Sequence, residues 1–146
     1  MSKKKLYLVA VDGSEWSERA AARAVSLASE TGARVEFLTV IPWSGYQPMS
    51  VEELATRPLA KEKEETHANE VVLKPLLEKH KDSGVVISTR HDWGDPVDIT
   101  KKIAKADHAN MVFVGRRGRS RLSDLILGSV ANALAHSLGV PIVLVP

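Results

Sequence analysis

The chain has 146 residues, 44% hydrophobic and 26% charged, with a formal net charge of +2. One domain over residues 1–146 is expected, and a chain of this length buries roughly 70% of its unfolded surface, enough for a core without staples. The absence of cysteine excludes disulfides, thiolate metal ligands and cysteine nucleophiles.

The N-terminal MSKKK is not followed by a secretory core, and the apolar runs are strand-sized rather than membrane-spanning, so a cytoplasmic protein is expected. Leu6 to Val11 (LYLVAV) reads as a strand buried on both faces. Asp12-Gly13-Ser14 breaks it, and Ser14 or Ser17 caps a helix with Ala21, Ala24, Val25 and Ala28 on one face and Gly32 at its end. Arg34 to Ile41 is the second strand. Residues 42–58, with three prolines, read as a long connection holding a short helical turn near Val51 to Ala55. A helix follows from about Leu59 to Asp82, kinked or broken at Pro75, with Val72, Leu73, Leu76 and Leu77 facing the core.

Val85 to Arg90 is the third strand. Asp95 as N-cap and Pro96 in the first turn start a helix to about Ala109, with Ile99, Ile103 and Ala104 inward. Met111 to Val114 is the fourth strand. The last helix runs from about Ser129 to Ser137 and is closed by Gly139, before a fifth strand over Val140 to Val145. Alternating apolar strands and amphipathic helices predict an α/β fold, a parallel sheet covered on both faces. A ligand then belongs at the carboxyl ends of the strands, where the winding reverses.

Between the fourth strand and the last helix the chain reads GRRGRSRLSDLILGS. Neither usual phosphate-loop pattern occurs. Instead Gly115, Gly118 and the Gly128-Ser129 pair are spaced so that a loop leaves a strand and returns to a helix start. Glycines let the backbone approach a ligand, and the free amides and dipole at a helix start favour an anion. Read as local structure alone, the glycines serve turns and Ser129 is a cap. The five histidines show no metal-ligand spacing, and no nucleophile elbow occurs.

The segments VAVDGSEWSERAAARAVSLASETGARVEFLTVI, GDPVDIT and VFVGRRGRSRLSDLILGSVANALAHSLGVPIVLVP resemble the universal stress protein family nearly end to end. The Gly-x2-Gly-x9-Gly-Ser spacing resembles the family's ATP-binding branch. The resemblance implies a single open five-stranded sheet in the order 3-2-1-4-5, Rossmann-like and of the adenine nucleotide alpha hydrolase type. It implies ATP, ADP or AMP across the tips of strands one and four, with magnesium or manganese carried by the phosphates. Asp12 matches the acid that meets the ribose. Val40 matches the residue that meets adenine through its backbone, with Ala10 and Val11 flanking the base. Gly115, Arg116, Gly118, Gly128, Ser129 and Val130, after Val114, match the phosphate-binding stretch.

Arg116, Ser120 and Arg121 depart from the smaller residues often found there, and Arg116, Arg119 and Arg121 are candidates for phosphate contact. Trp43 and Tyr46 are candidates for a lid over the base. The family implies a homodimer through the C-terminal strand 140–145, an apolar edge open to pairing. The sequence offers no convincing base for hydrolysis; Asp124 lies in the loop without a defined role. A nucleotide-dependent stress-response or signalling module with slow or no hydrolysis is the leading expectation. A weak ATPase or phosphotransferase using the same site is the alternative. A nucleic-acid-binding module using Arg116 to Arg121 ranks last, because no aromatic platform accompanies the arginines.

Overall fold

The first apolar run forms β1 (Leu6–Ala10), buried up to its last residue as the centre of a parallel sheet requires. The computed structural model describes residues 4–42, 51–118 and 127–146, with 53–59 described by backbone alone. After β1 come α1 (Glu15–Thr31), β2 (Arg34–Ile41), α2 (Val51–His67), a π-helical segment (Ala68–Leu73) and α3 (Lys74–Lys79). They are followed by β3 (Ile87–Trp93), α4 (Pro96–Ala106), β4 (Met111–Gly115), α5 (Ser129–Ser137) and β5 (Ile142–Val145). The strands pair in parallel in the order β3-β2-β1-β4-β5.

Period-two alternation along the strands divides the core between two faces. Val9, Phe37 and Phe113 pack on one face against Ala20, Ala21, Ala24 and Val25 of α1 and Val72, Leu73 and Leu76 beyond α2. Leu6, Leu8, Leu38 and Val112 turn to the other face, against Ile103 and Ala104 of α4. Val114 meets Ala131 and Leu134 of α5 on that second face. Ser14 caps α1 through its side chain, and Gly32 ends it in the left-handed region at φ 77°. Asp95 caps α4, accepting from the Asp98 N–H at 3.0 Å. Among the described residues no helix is long and apolar enough to cross a membrane.

The departures from the sequence expectations have local causes. The helix expected from Leu59 starts at Val51 and contains Pro58, so the proline read as loop punctuation lies within α2. Near Pro75 the helix widens into the π-helical segment and resumes with the proline in the first turn of α3. A proline ring conflicts with the carbonyl four residues earlier, and a π-type turn is one way a helix absorbs such a fault. Leu77 is 36% exposed rather than core. The third strand runs later than expected, to Trp93, because β2 pairs with it up to Ile41–Trp93. The fifth begins only at Ile142. The α4 helix stops at Ala106, short of Ala109, and α5 is capped at its end by Leu138, before Gly139.

One charged residue sits inside the sheet. Glu36 on β2 is 8% exposed. Burial, above all, holds its carboxyl above the ordinary range; the neighbouring Asp107, by charge and hydrogen bond, adds to this, while Arg90 and Arg34 oppose it. A carboxyl raised in the folded state favours folding below its ordinary pKa, and that advantage is lost as pH rises through the folded-state value. At neutral pH, Glu36 therefore carries a cost. Glu36→Gln is expected to raise the thermal midpoint at pH 7 relative to wild type, with the gain shrinking as pH falls through the raised folded-state value toward 4.5, the ordinary value, and lost well below it. His80 is held below its usual range by burial and Lys79. It titrates in both proteins, so the variant-minus-wild-type difference isolates Glu36. Equal midpoints at pH 7 would contradict this account.

Candidate functional site

At the end of β1 the Val11 N–H donates to the Leu38 carbonyl of β2 at 2.8 Å, the last bond between the two strands. The chain then turns through Gly13, at φ 84°, into α1. One oxygen of Asp12, Oδ1, accepts from the Ser14 N–H at 2.9 Å. The Asp12 N–H reaches the buried Ser17 Oγ at 3.3 Å. These bonds tie the carboxylate to the start of α1.

The β2 strand continues past the point where β1 leaves it. Successive residues of a strand turn their backbone groups to opposite sides. Leu38 faces β1, and Ile41 accepts from Gly94 beside β3 at 3.0 Å. Val40 therefore turns its N–H and C=O toward β1 just beyond the last rung, into the crevice.

The opposite wall is built by close backbone approach. A Cβ on Gly115 would lie 2.7–2.9 Å from Cβ, C and O of Trp16. One on Gly118 would lie 2.8 Å from Asp12 Oδ2. One on Gly128 would lie 3.2 Å from Arg117 Cα and 3.3 Å from the Arg116 carbonyl. The Gly128 N–H donates to that carbonyl at 2.9 Å, joining the two ends of the loop, and the Arg116 N–H donates to Val145 at 2.7 Å. Gly128 caps α5, whose first internal bond runs from the Asn132 N–H to the Gly128 carbonyl at 2.8 Å. The amides of Ser129, Val130 and Ala131 thus have no acceptor within the helix.

These tips enclose a cavity of about 570 Å³, within the size range of small-molecule sites. It lies at the switch point: β1 leads to α1 on one face, and β4 leads to α5 on the other. Ala10, Val11, Asp12, Val40, Val114, Gly115, Gly118, Gly128, Ser129 and Val130, all singled out in the sequence, line it together. Arg116 is not among the lining residues; Arg117 is. Arg119, Ser120, Arg121 and Asp124, and the lid candidates Trp43 and Tyr46, lie outside the described residues.

Sequence reasoning also passed over Thr39, Thr100, Lys63, Glu64 and His67, which line the same space. Lys63 and Glu64 belong to KEKEE, a run of mixed charge with no motif, and His67 has no metal-ligand spacing to single it out. Arg117 carries no local signal: residues 116 and 117 form a bend beyond β4, whose direction the sequence does not fix.

Chemically the lining is of two kinds. Ile41, Pro42, Ala68 and Val72 are apolar, while Lys63, Glu64 and His67 of α2 are charged or polar. Gly118, Gly128, the start of α5 and Arg117 bring amides, a positive helix end and a cation. Such a space suits a flat apolar body joined to an anionic tail. Among the described residues no group of three or more His, Cys, Asp or Glu side chains could hold a metal ion.

The family model of the universal stress protein family matches residues 5–146. A universal stress protein of Mycobacterium tuberculosis is 34% identical over 139 residues, covering 93% of this chain and 43% of the relative, so the chain spans less than half of that protein. A putative universal stress protein of Staphylococcus epidermidis is 31% identical over 134 residues, covering 90% of this chain and 78% of the relative. Among solved structures, that of a universal stress protein from Lactobacillus plantarum superposes with a TM-score of 0.81 at 19% identity, covering 100% of both chains. A universal stress protein in complex with cAMP superposes at 0.69 with 25% identity, covering 99% of each chain.

Proposed function

The chain belongs to the universal stress protein family, and from that premise we propose that it binds an adenine nucleotide, with ATP as the tightest ligand, and acts as a nucleotide-dependent stress-response or signalling module. The observation that carries this reading is the glycine cradle: at three positions a single added carbon would strike backbone or Asp12. Close packing of this kind around a cavity leaves amides rather than side chains to meet the ligand. The related protein solved with cAMP supports the ligand class.

In this reading the Val40 N–H and C=O meet the edge of adenine, between Ala10 and Val11 on one side and the apolar part of the lining on the other. Asp12 Oδ2 accepts from the ribose hydroxyls. Gly118 and the first amides of α5, at Ser129 and Val130, hold the phosphates, helped by the helix dipole. Gly115 and Val114 set the loop at the strand end, and Arg116 closes it through its main chain. A bound magnesium or manganese ion would ride on the phosphates, with water completing its shell. Slow or absent hydrolysis belongs to the same proposal, since the sequence shows no convincing catalytic base. The test is to purify the protein, denature it and identify the released small molecule by mass spectrometry. Adenine nucleotide at near one per chain is expected. Ligand-free protein that also fails to take up added ATP would overturn the reading.

Self-association through the β5 edge belongs to the same proposal. Leu144 is 37% exposed. Pro141 and Val145 direct their carbonyls to β4, so by alternation Ile142 and Leu144 direct their backbone groups outward. Leu144→Pro removes a donor from the open edge and none from the β4 ladder. The variant is expected to sediment as a monomer at concentrations where wild type is a dimer. A wild-type monomer, or a dimeric variant, would contradict this interface.

A further inference from the structure

We infer that Arg117, seated on the indole of Trp16, is the side chain by which this site distinguishes a long phosphate tail from a short one; the inference rests on the adenine-nucleotide reading above. Arg117 lines the cavity yet is only 6% exposed. Its Cζ lies 4.9 Å from the centre of the Trp16 ring. A buried cation needs a charged or π partner, and here the indole supplies one.

The main chain beneath both residues is fixed. Gly115 packs against the Trp16 backbone, and the site of the missing Gly128 Cβ lies 3.2 Å from Arg117 Cα. Trp16 sits in the first turn of α1, one residue before Ser17, whose N–H the Ser14 cap accepts. A second guanidinium, Arg19, approaches the same ring at 5.6 Å and is itself held by Glu15 at 2.9 Å and the Pro146 carbonyl at 3.0 Å. The stack is therefore anchored at both ends before any ligand arrives, so little side-chain freedom remains to be lost on binding.

The division of labour follows from charge. The loop and α5 amides are neutral donors, whereas the Arg117 guanidinium beside the indole carries a full charge and N–H donors that match phosphate oxygens. A longer phosphate tail carries more charge, so its attraction to a fixed cation rises with each added phosphate. The amides then serve every nucleotide, and Arg117 serves the extra phosphates of ATP. Trp16 is a positioning residue that holds the cation in place.

The test is calorimetric titration of AMP and ATP into wild type, Arg117→Gln, Arg117→Lys, Trp16→Leu and Trp16→Phe. Arg117→Gln is expected to lower the ratio of ATP to AMP affinity about tenfold with AMP affinity nearly unchanged. Arg117→Lys and Trp16→Leu should fall between that variant and wild type, and Trp16→Phe should retain most of the ratio. In a Trp43→Phe, Trp93→Phe background, Trp16 emission should respond to ATP more than to AMP. That readout also stands in should Arg117→Gln fail to fold. An unchanged ratio in Arg117→Gln, or equal losses for AMP and ATP, would overturn the inference while leaving nucleotide binding intact. A wild type that binds neither nucleotide would instead overturn the functional reading itself.

Discussion

Replacing Gly128 with aspartate is expected to cut affinity for ATP by about a hundredfold or more, some 2.7 kcal/mol, while the protein stays folded. Gly128 is the N-cap of α5. Aspartate is among the best residues at such a position, so the helix gains a cap. The binding site loses, because the new carboxylate stands beside the amides proposed to hold phosphate. Its Cβ also sits 3.3 Å from the Arg116 carbonyl and 3.5 Å from the Gly118 amide, so the loop ends must shift by tenths of an ångström. Gly128→Ala separates the two effects. It introduces the carbon without the charge and should lose much less affinity. Calorimetry on the three proteins, with circular dichroism to confirm folding, checks the prediction. Matching affinities in wild type and Gly128→Asp would show that the phosphates bind elsewhere.

Gly115→Ala should do the opposite, damaging the fold first. The added carbon would lie 2.7 Å from Trp16 Cβ, 2.8 Å from its carbonyl carbon and 2.9 Å from its oxygen. None of these atoms is the end of a flexible side chain, so β4 and α1 must separate. Overpacking of this kind costs about 1–3 kcal/mol, occasionally more. At roughly 2–4 °C per kcal/mol for a chain of this size, the expected result is a fall in melting temperature of about 2–12 °C. Gly118→Ala is the instructive contrast. Its clash, at 2.8 Å, is with Asp12 Oδ2, an atom that can rotate away. That variant should melt near wild type yet bind nucleotide more weakly, because the carboxylate assigned to the ribose is displaced. Thermal melts of the two variants side by side test the distinction. A Gly115→Ala protein as stable as wild type would mean that the wall of the site is looser than its geometry implies.

Strands β1, β2, β4 and β5 were legible as largely apolar runs beside a glycine, proline or acid, and the start of α4 because Asp95-Pro96 is an unambiguous signal; β3, ISTRHDW, is mostly polar, and its bounds were misplaced. The ligand-facing tips followed from the alternation of strand and helix. What sequence misjudged were features set by tertiary contact. Pro58 punctuates a sequence, but α2 continues through it, and α2 docks through Glu65, which accepts from the Trp93 indole at 2.9 Å. That partner lies 28 residues away and has no local signature. Lys63 and His67 carry no local sign of the site because their cavity is formed by strands distant in sequence. Arg116 and Arg117 are chemically identical, and only the register of the chain beyond β4 decides which of them turns to the cavity.

The proposed function requires that the amides of the glycine cradle and the α5 start receive a nucleotide. A nitrogen-15 NMR titration with ATP reads those amides directly. Saturable shifts largest at Gly118, Gly128, Ser129 and Val130, with a second group at Val40, are the predicted result. Shifts that cluster elsewhere, or amides that do not move at millimolar ATP, would contradict it.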